Sequence, residues 1–393
     1  MNNKIQTKIY WPELDVLRGL AALLMIINHA GFKILAPNLI EDGTFAGNLL
    51  FICSFAPVLF FFVTGVGYGI QSSHKKKAGH WYAILNKVFI LVLADLLMHW
   101  SEGRWLGLDF LGFIGLSSLV LEFVRRSSSP LTYCLVGFIA VSLMRYLLGP
   151  LIDDLGDASL GWGVLHWILG TKDTPGVSYP LSPWMAYPFA GYIIGVAAMR
   201  YRDFIETRRL QVVSGLLMLA GLPAIAGLIL AQRGASFFRW GTVGVGFYVV
   251  SFAVILSSIA AVLIMCGNPR MKVCQEALSL KGIASLAVVP LHYFLIYLAV
   301  SLGVTGVDLF RFALSAIAIS TMSFLLARAV ENLSQIIRQV KKQKVAWFGL
   351  AVMFVLAAGL TLFYSRDSTS LALLPRTLGQ LVLCLLFVVR WPF

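Results

Sequence analysis

The sequence predicts an all-α integral membrane protein, built as a polytopic bundle of about 11–12 transmembrane helices. Of its 393 residues, 59% are hydrophobic and 12% are charged, whereas soluble domains are about 45–50% apolar and about 25% charged. In addition, the apolar residues fall in runs long enough to cross a hydrocarbon core, which takes roughly 17–25 residues. These two observations exclude a water-soluble domain.

The apolar runs follow one another along the whole chain. They cover residues 14–32, 48–70, 82–100, 106–124, 131–149, 183–199, 212–231, 242–266, 283–304, 309–328, 345–364 and 370–389. Pro375 and Arg376 interrupt the first half of the last run. We predict one membrane bundle over residues 1–330, and a basic cytoplasmic segment with one or two accessory transmembrane helices over residues 331–393.

Two of the runs carry small residues four positions apart, Gly65 with Gly69 and Gly191 with Gly195. In lipid, such pairs let helix backbones approach closely. They predict a close helix contact at each of these runs.

The cations indicate the orientation of the bundle. With the N-terminus inside, the inner segments hold 19 of the 31 Lys and Arg residues, the outer segments hold 8, and the spans hold 4. Positive loops stay cytoplasmic, so we predict that both termini are cytoplasmic. This distribution also accounts for the net charge of +13, so we expect contact with membrane lipids and no nucleic-acid partner.

The five cysteines lie far apart, with no C-x-x-C pair and no His at ligand spacing. Zinc sites require such spacings, so we predict no metal. We expect the protein to reside in the inner (plasma) membrane of a bacterium, and the sequence leaves its oligomeric state open.

The first apolar run carries three ionisable residues, Asp15, Arg18 and His29. Ionisable side chains inside a span are costly, and each is by default a functional candidate. Arg18 and His29 are eleven positions apart, or about three turns, so they share a helix face with roughly 16 Å between them along the axis. Asp15 joins this face three positions before Arg18. The stripe predicts a polar passage that Arg18 and His29 share.

The residue types indicate what this stripe can do. Arg18 keeps its charge and can bind a carbonyl, a phosphate or Asp15, and a neutral imidazole at His29 can act as a general base. Two structural alternatives stay open. His29 can be a histidine that is hydrogen-bonded inside the bundle, and Arg18 with Asp15 can be an ion pair at the membrane edge. Their position on one face favours the functional interpretation.

Other polar residues are candidates for binding. Asp95 and His99 lie four positions apart on one face of the third run, where they can position an acceptor, relay a proton or form a local polar pair. His292 follows a proline, where we expect a kink, and can reach the same cavity. Trp162 lies in the longest outer loop, where it can cover an external site or anchor an interfacial helix.

Four segments, in order, carry a family resemblance. The first segment has an R-x10-H spacing that ends at His29, and it reads D-V-L-R-G-L-A-A-L-L-M-I-I-N-H. The second is similar to an F-F-x-x-S-G element, has Thr64 at the Ser position, and reads F-A-P-V-L-F-F-F-V-T-G. The later segments are L-S-P-W-M-A-Y-P-F-A-G-Y-I-I-G and S-L-A-V-V-P-L-H-Y-F-L-I-Y, the second with Pro290 near the usual Tyr. Together they resemble the transmembrane acyltransferases of the acyltransferase-3 superfamily, in particular the branch typified by the heparan-α-glucosaminide N-acetyltransferase catalytic domain.

The resemblance implies that acyl-CoA, commonly acetyl-CoA, donates its acyl group from the cytoplasm to a hydroxyl or amine of an extracytoplasmic glycan. His29 would be the general base or acyl carrier, and Arg18, oriented by Asp15, would bind the pantetheine or polarise the thioester carbonyl. Thr64 would line the acyl pocket of the donor. Lys75, Lys76 and Arg125 are cations that can bind the CoA phosphates, or can serve only as the positive charges that set the topology. The acceptor would meet Asp95, His99, Trp162 and His292.

Two other function classes compete with an enzyme. A proton-coupled secondary transporter would use Asp95, His99 and His292 as a proton relay, but the sequence lacks the repeat symmetry of many transporters. A non-catalytic membrane scaffold would leave the stripe from Arg18 to His29 unexplained. Stabilisation of the protein by CoA would discriminate the acyltransferase from both.

Overall fold

The structure, a computed structural model, describes residues 11–41, 43–73, 80–99, 108–153, 168–169, 178–234, 243–340, 343–364 and 370–389. Its α-helices are α1 (Pro12–Ile34), α2 (Phe45–Cys53), α3 (Ala56–Ile70), α4 (His80–His99), α5 (Phe110–Arg126), α6 (Pro130–Asp153), α7 (Leu181–Trp184), α8 (Ala186–Arg200), α9 (Arg202–Thr207), α10 (Arg209–Gln232), α11 (Val245–Gly267), α12 (Lys272–Leu278), α13 (Ala284–Ser301), α14 (Leu309–Gln339), α15 (Gln343–Phe363) and α16 (Ser370–Leu386).

The helices confirm the predicted polytopic all-α membrane protein. In the described ranges, nine helical segments are long and apolar enough to cross a membrane, with α2 and α3 together forming one of them. The three other predicted spans correspond to α5, α8 and α16, which are shorter, with 17, 15 and 17 residues. The same ranges form no β-strand, and their only β-pairing is at the isolated bridge residues Leu35, Leu108 and Val307.

α1 is a central helix that packs against α2, α3, α11, α12, α13 and α14. Pro12 stands in its first turn, where the missing N–H of a proline costs no helical hydrogen bond. Backbone bonds fasten both ends, because Leu280 N–H donates to the Asp15 carbonyl at 3.1 Å and Val307 N–H donates to the Ile34 carbonyl at 3.0 Å. α1 is therefore a fixed support for the side chains that it carries.

The predicted glycine contacts occur, and the two glycine pairs contact each other between α3 and α8. A Cβ atom on Gly65 would overlap the carbonyl of Pro188, and one on Gly191 would overlap the carbonyl of Phe62. The second glycine of each pair also lies against the other helix. Glycine is therefore what allows these two backbones to touch.

The C-terminal helices differ from the expectation in two respects. α14 continues to Gln339 instead of ending near residue 328, and the backbone becomes extended at Val340. Residues 329–339 hold no Gly or Pro, so nothing in them breaks the helix. α16, in the segment predicted as accessory, packs against α13 and α4. Part of the predicted basic segment is thus helical, and the last helix is part of the bundle.

Candidate active site

One face of α1 carries, in order, Arg18, Ala22, Met25 and His29. The predicted contact at its beginning is present, since Arg18 Nη1 donates to Asp15 Oδ1 at 2.6 Å. Ala22 and Met25 are both buried. Met25 also lines the cavity that contains His29, whereas Arg18 does not line that cavity. Packed apolar side chains therefore separate the two polar ends along α1, and the shared passage stays a prediction.

His29 contacts two consecutive residues of α13, His292 and Tyr293. The Nδ1 of His29 lies 2.8 Å from the Nε2 of His292, and its Nε2 lies 3.2 Å from the Tyr293 hydroxyl. The His29 ring also stacks on the Tyr293 ring, with 4.7 Å between centroids. His292 is fully buried, and its own Nδ1 lies 3.0 Å from the carbonyl oxygen of Val288.

These partners determine which ring nitrogens carry protons. A carbonyl oxygen only accepts hydrogen bonds, so the Nδ1–H of His292 donates to Val288, and the Nε2 of a neutral His292 holds a lone pair. That lone pair accepts the Nδ1–H of His29. The Nε2 of His29 is then the unprotonated nitrogen, because a neutral imidazole carries one proton. His292 thus orients His29 so that its unprotonated Nε2 accepts a hydrogen bond from the Tyr293 hydroxyl.

His29 borders a cavity that is lined by α1, α2, α3, α4, α5, α13 and α16. Asp95 and Asp109 line it alongside His29 and Tyr293. Asp95 is buried, and its Oδ2 accepts the backbone N–H of Asp109 at 2.8 Å. Carboxylate oxygens accept hydrogen bonds, so the lining suits a ligand that carries hydroxyl or amine groups.

Gln380 of α16 brings a further polar group to this cavity. Its Nε2 donates to the carbonyl of Ala94 at 3.0 Å, which fixes the side chain against α4. Its buried Oε1 has no hydrogen-bond partner in the part of the chain that the structure describes. Because a buried polar atom without a partner is costly, this oxygen is suited to accept a hydrogen bond from a ligand.

The predicted donor residues Thr64 and Arg125 make local contacts. The Thr64 hydroxyl donates to the carbonyl of Phe60 at 3.0 Å, inside α3. Arg125 is buried and donates through Nε and Nη2 to the two oxygens of Glu122, both at 2.9 Å. Neither residue lines the cavity at His29. Their roles in donor binding stay predictions.

The structure brings several predicted residues together and leaves others undescribed. Two of them were predicted for the acceptor. Asp95 lines the cavity at His29, and His292 contacts the His29 ring. Lys75, Lys76 and Trp162 lie outside the described residues, and so does the side chain of His99.

Three residues were missed by the sequence-based reasoning. Tyr293 directly follows His292 in the fourth resemblance segment, and that adjacency was the available signal. Gln380 is an uncharged polar residue in an apolar run that we interpreted as accessory. Lys87 lies within the third run, and its Nζ donates to the Ser118 hydroxyl at 3.1 Å.

Comparison with known families gives one match. Residues 11–225, more than half of the chain, match the family described as heparan-alpha-glucosaminide N-acetyltransferase, catalytic. Comparison with curated proteins gave no match, and comparison with solved structures gave none either. His29 lies inside the matched residues, whereas His292 and Gln380 lie beyond them. Membership of the wider acyltransferase-3 superfamily stays a prediction, but the match is sufficient for a narrower statement: the chain belongs to the heparan-alpha-glucosaminide N-acetyltransferase catalytic family.

Proposed function

We propose that this integral membrane protein transfers an acyl group, preferably acetyl, from cytoplasmic acyl-CoA to a hydroxyl or amine of a glycan on the outer side of the membrane. Family membership supports the transferase chemistry and the glycan acceptor. The observation that carries the proposal is the pair of histidines, in which His292 keeps the Nε2 of His29 unprotonated and therefore able to take a proton. We place the enzyme in the inner (plasma) membrane of a bacterium.

In the proposed reaction, His29 acts as the general base. Its Nε2 takes the proton from the acceptor O–H or N–H while the acceptor atom attacks the thioester carbonyl carbon. The tetrahedral intermediate then collapses, the carbon–sulfur bond breaks, and the CoA thiolate takes the proton back from His29. In both steps the Nε2 of His292 accepts the Nδ1–H of His29 and so holds the imidazole. The Tyr293 hydroxyl, which donates to the Nε2 of His29 before the reaction, can donate to the oxyanion once that nitrogen has taken the proton.

The donor end of the proposed site is the beginning of α1. Arg18 projects there on the same face as His29, about 16 Å away along the helix axis, and Asp15 fixes its guanidinium. A distance of this size is comparable with an extended pantetheine arm, so a nucleotide bound near Arg18 would present its thioester to His29. Because Met25 is buried on the intervening face, its flexible side chain would have to move as the arm enters.

The acceptor end of the proposed site is the cavity at His29. Asp95, Asp109 and Gln380 offer oxygens to the hydroxyl and amine groups of a sugar, and such groups hydrogen-bond well to carboxylates and amides. We retain Thr64 as a donor residue on the family resemblance, and Lys75, Lys76 and Arg125 as donor residues because cations suit the CoA phosphates. We retain His99 as an acceptor residue for its spacing to Asp95, and Trp162 for its place in the longest outer loop.

The experiment uses the purified protein in lipid nanodiscs. We expect CoA at millimolar concentration to raise the melting temperature, because a ligand of the native state stabilises it by mass action. We also expect acetyl-CoA to release free CoA thiol when glucosamine is supplied as a probe acceptor. His29→Ala should abolish this release and keep the thermal shift. Phe32→Ala, which alters an exposed residue one turn further along α1, should retain both.

Two outcomes would overturn the proposal. If His29→Ala folds and releases thiol at the wild-type rate, His29 has no catalytic role. If CoA leaves the melting temperature unchanged, the protein has no CoA donor, and the transporter with its relay through Asp95 and His292 becomes the better hypothesis.

A further inference from the structure

A second polar cluster lies at the other end of α1 from His29, where α1, α3, α4 and α5 meet. Its cations include Arg18 of α1 and Lys87 of α4, which lie beside two adjacent residues of α3, Gly67 and Tyr68. Tyr68 of α3 lies beside both helices, with its ring centroid 6.0 Å from the Lys87 Nζ. The adjacent Gly67 leaves room for the Arg18 guanidinium, which lies 3.8 Å from where a Cβ would be.

Lys87 has an unusual environment for a lysine within a span. It is half-buried, and its Nζ donates to the buried hydroxyl of Ser118 at 3.1 Å. Within the described residues, no carboxylate lies at ion-pair distance from its ammonium. Buried charges in proteins are normally paired with an opposite charge, so this ammonium lacks the partner that its location requires.

The neighbouring arginines do not supply the missing negative charge. Glu122 is fully buried and pairs with both Arg125, at 2.7 Å, and Arg126, at 2.6 Å. One carboxylate thus serves two guanidinium groups. The Nη2 of Arg126 is buried and has no hydrogen-bond partner in the described part of the chain. This side of the cluster therefore also carries excess positive charge.

The charges of the cluster do not balance among the residues that the structure describes. These include four cations, Arg18, Lys87, Arg125 and Arg126, and two carboxylates, Asp15 and Glu122. The excess is two positive charges in a partly desolvated place, where an unpaired charge is expensive. A ligand with two negative charges would balance it, and ammonium and guanidinium groups are the usual partners of phosphate oxygens.

We propose that Lys87 and Arg18 hold the diphosphate of the acyl-CoA donor. This inference rests on the proposed function and adds the location of the nucleotide end of the donor. The diphosphate carries two negative charges, which match the excess positive charge. Its position at Arg18 places it about 16 Å from His29 along α1, and the pantetheine arm spans the distance between the diphosphate and His29. Ser118 orients the Lys87 ammonium. The buried Glu122 holds Arg125 and Arg126, which add further positive charge to the cluster.

The test measures binding of three probes to the full chain in phosphatidylcholine nanodiscs, which contain no anionic lipid. The probes are CoA, dephospho-CoA, which keeps the diphosphate, and pantetheine, which has no phosphate. We expect Lys87→Met to weaken CoA and dephospho-CoA alike, by roughly tenfold to a hundredfold in Kd, because one charge-assisted hydrogen bond is lost. Pantetheine binding should not change, and Lys87→Arg should retain most of the affinity for CoA.

Lys272→Met is the matched control, because Lys272 is a strongly exposed lysine whose nearest carboxylate is 4.0 Å away. It should bind all three probes like the wild type. The inference is overturned if Lys87→Met, with an unchanged melting temperature, binds CoA like the wild type, or loses CoA and pantetheine equally. It is also overturned if phosphatidylglycerol in the nanodisc competes with CoA for wild type and not for Lys87→Met, since the anion site would then belong to a lipid headgroup. If the wild type binds neither CoA nor pantetheine, the proposed function itself fails.

Discussion

Replacement of His292 tests the proposed role of His29 as the general base. In His292→Phe the ring volume is kept, but the Nε2 that accepts the His29 Nδ1–H at 2.8 Å is removed. When His29 is protonated during the reaction, this hydrogen bond is charge-assisted and is worth about 1.5–3 kcal/mol. Its loss corresponds to a decrease in kcat of roughly tenfold to 150-fold. A further decrease is expected because His29 can then adopt the other tautomer, with its Nε2 protonated.

The assay follows the release of CoA thiol from acetyl-CoA and separates kcat from the KM of the donor. We expect kcat to fall and the donor KM to stay constant, since His292 does not contact the end of α1 at which Arg18 lies. Tyr297→Phe is the matched control, because Tyr297 stacks on Tyr293 with 5.7 Å between ring centroids and makes no contact with His29. A folded His292→Phe protein with the kcat of the wild type would refute the assignment of His292 as the positioning residue.

Two further predictions concern packing. Met25→Phe should lower the turnover of acetyl-CoA by about tenfold or more, because a rigid ring on the face between Arg18 and His29 hinders the pantetheine arm. The volume-conserving Met25→Leu should retain turnover. Equal turnover of the two variants would show that the arm takes another route. Gly191→Ala should lower the thermal stability of the detergent-solubilised protein, because its Cβ would overlap the carbonyl of Phe62 and overpacking costs about 1–3 kcal/mol. Gly215→Ala should leave the melting temperature unchanged or raise it slightly, because nothing lies within 4 Å of the new Cβ. An equal effect of Gly191→Ala and Gly215→Ala would contradict the close contact of α3 with α8.

Local spacing made part of this arrangement predictable. The contact of Arg18 with Asp15 joins positions i and i+3 of one helix, and the helical repeat alone places them together. The glycine pairs were also readable, because small residues at four-residue spacing mark a surface where helices approach. In both cases the signal lies within a few residues of sequence.

The decisive contacts of the site could not be predicted in the same way. His29 and His292 are 263 positions apart, and a helix face indicates which side chains point inward without indicating what they meet. Gln380 was overlooked for a related reason. Its helix looked accessory because it follows a basic segment, and only its packing against α13 and α4 shows that it borders the site.

The way α1 is held bears on the size of the acyl group. Its backbone is fastened near Asp15 and at Ile34, so the distance between Arg18 and His29 is constrained, and a donor anchored at one end delivers its thioester to a defined place at the other. An acyl chain longer than acetyl would extend past His29 into the cavity. Beyond His29 that cavity presents Asp95, Asp109 and Gln380, and a hydrocarbon chain packed there would leave the buried Gln380 Oε1 without a hydrogen-bond partner. We therefore expect the enzyme to prefer a short acyl group, and the same oxygens suit the hydroxyl- or amine-bearing acceptor that we propose.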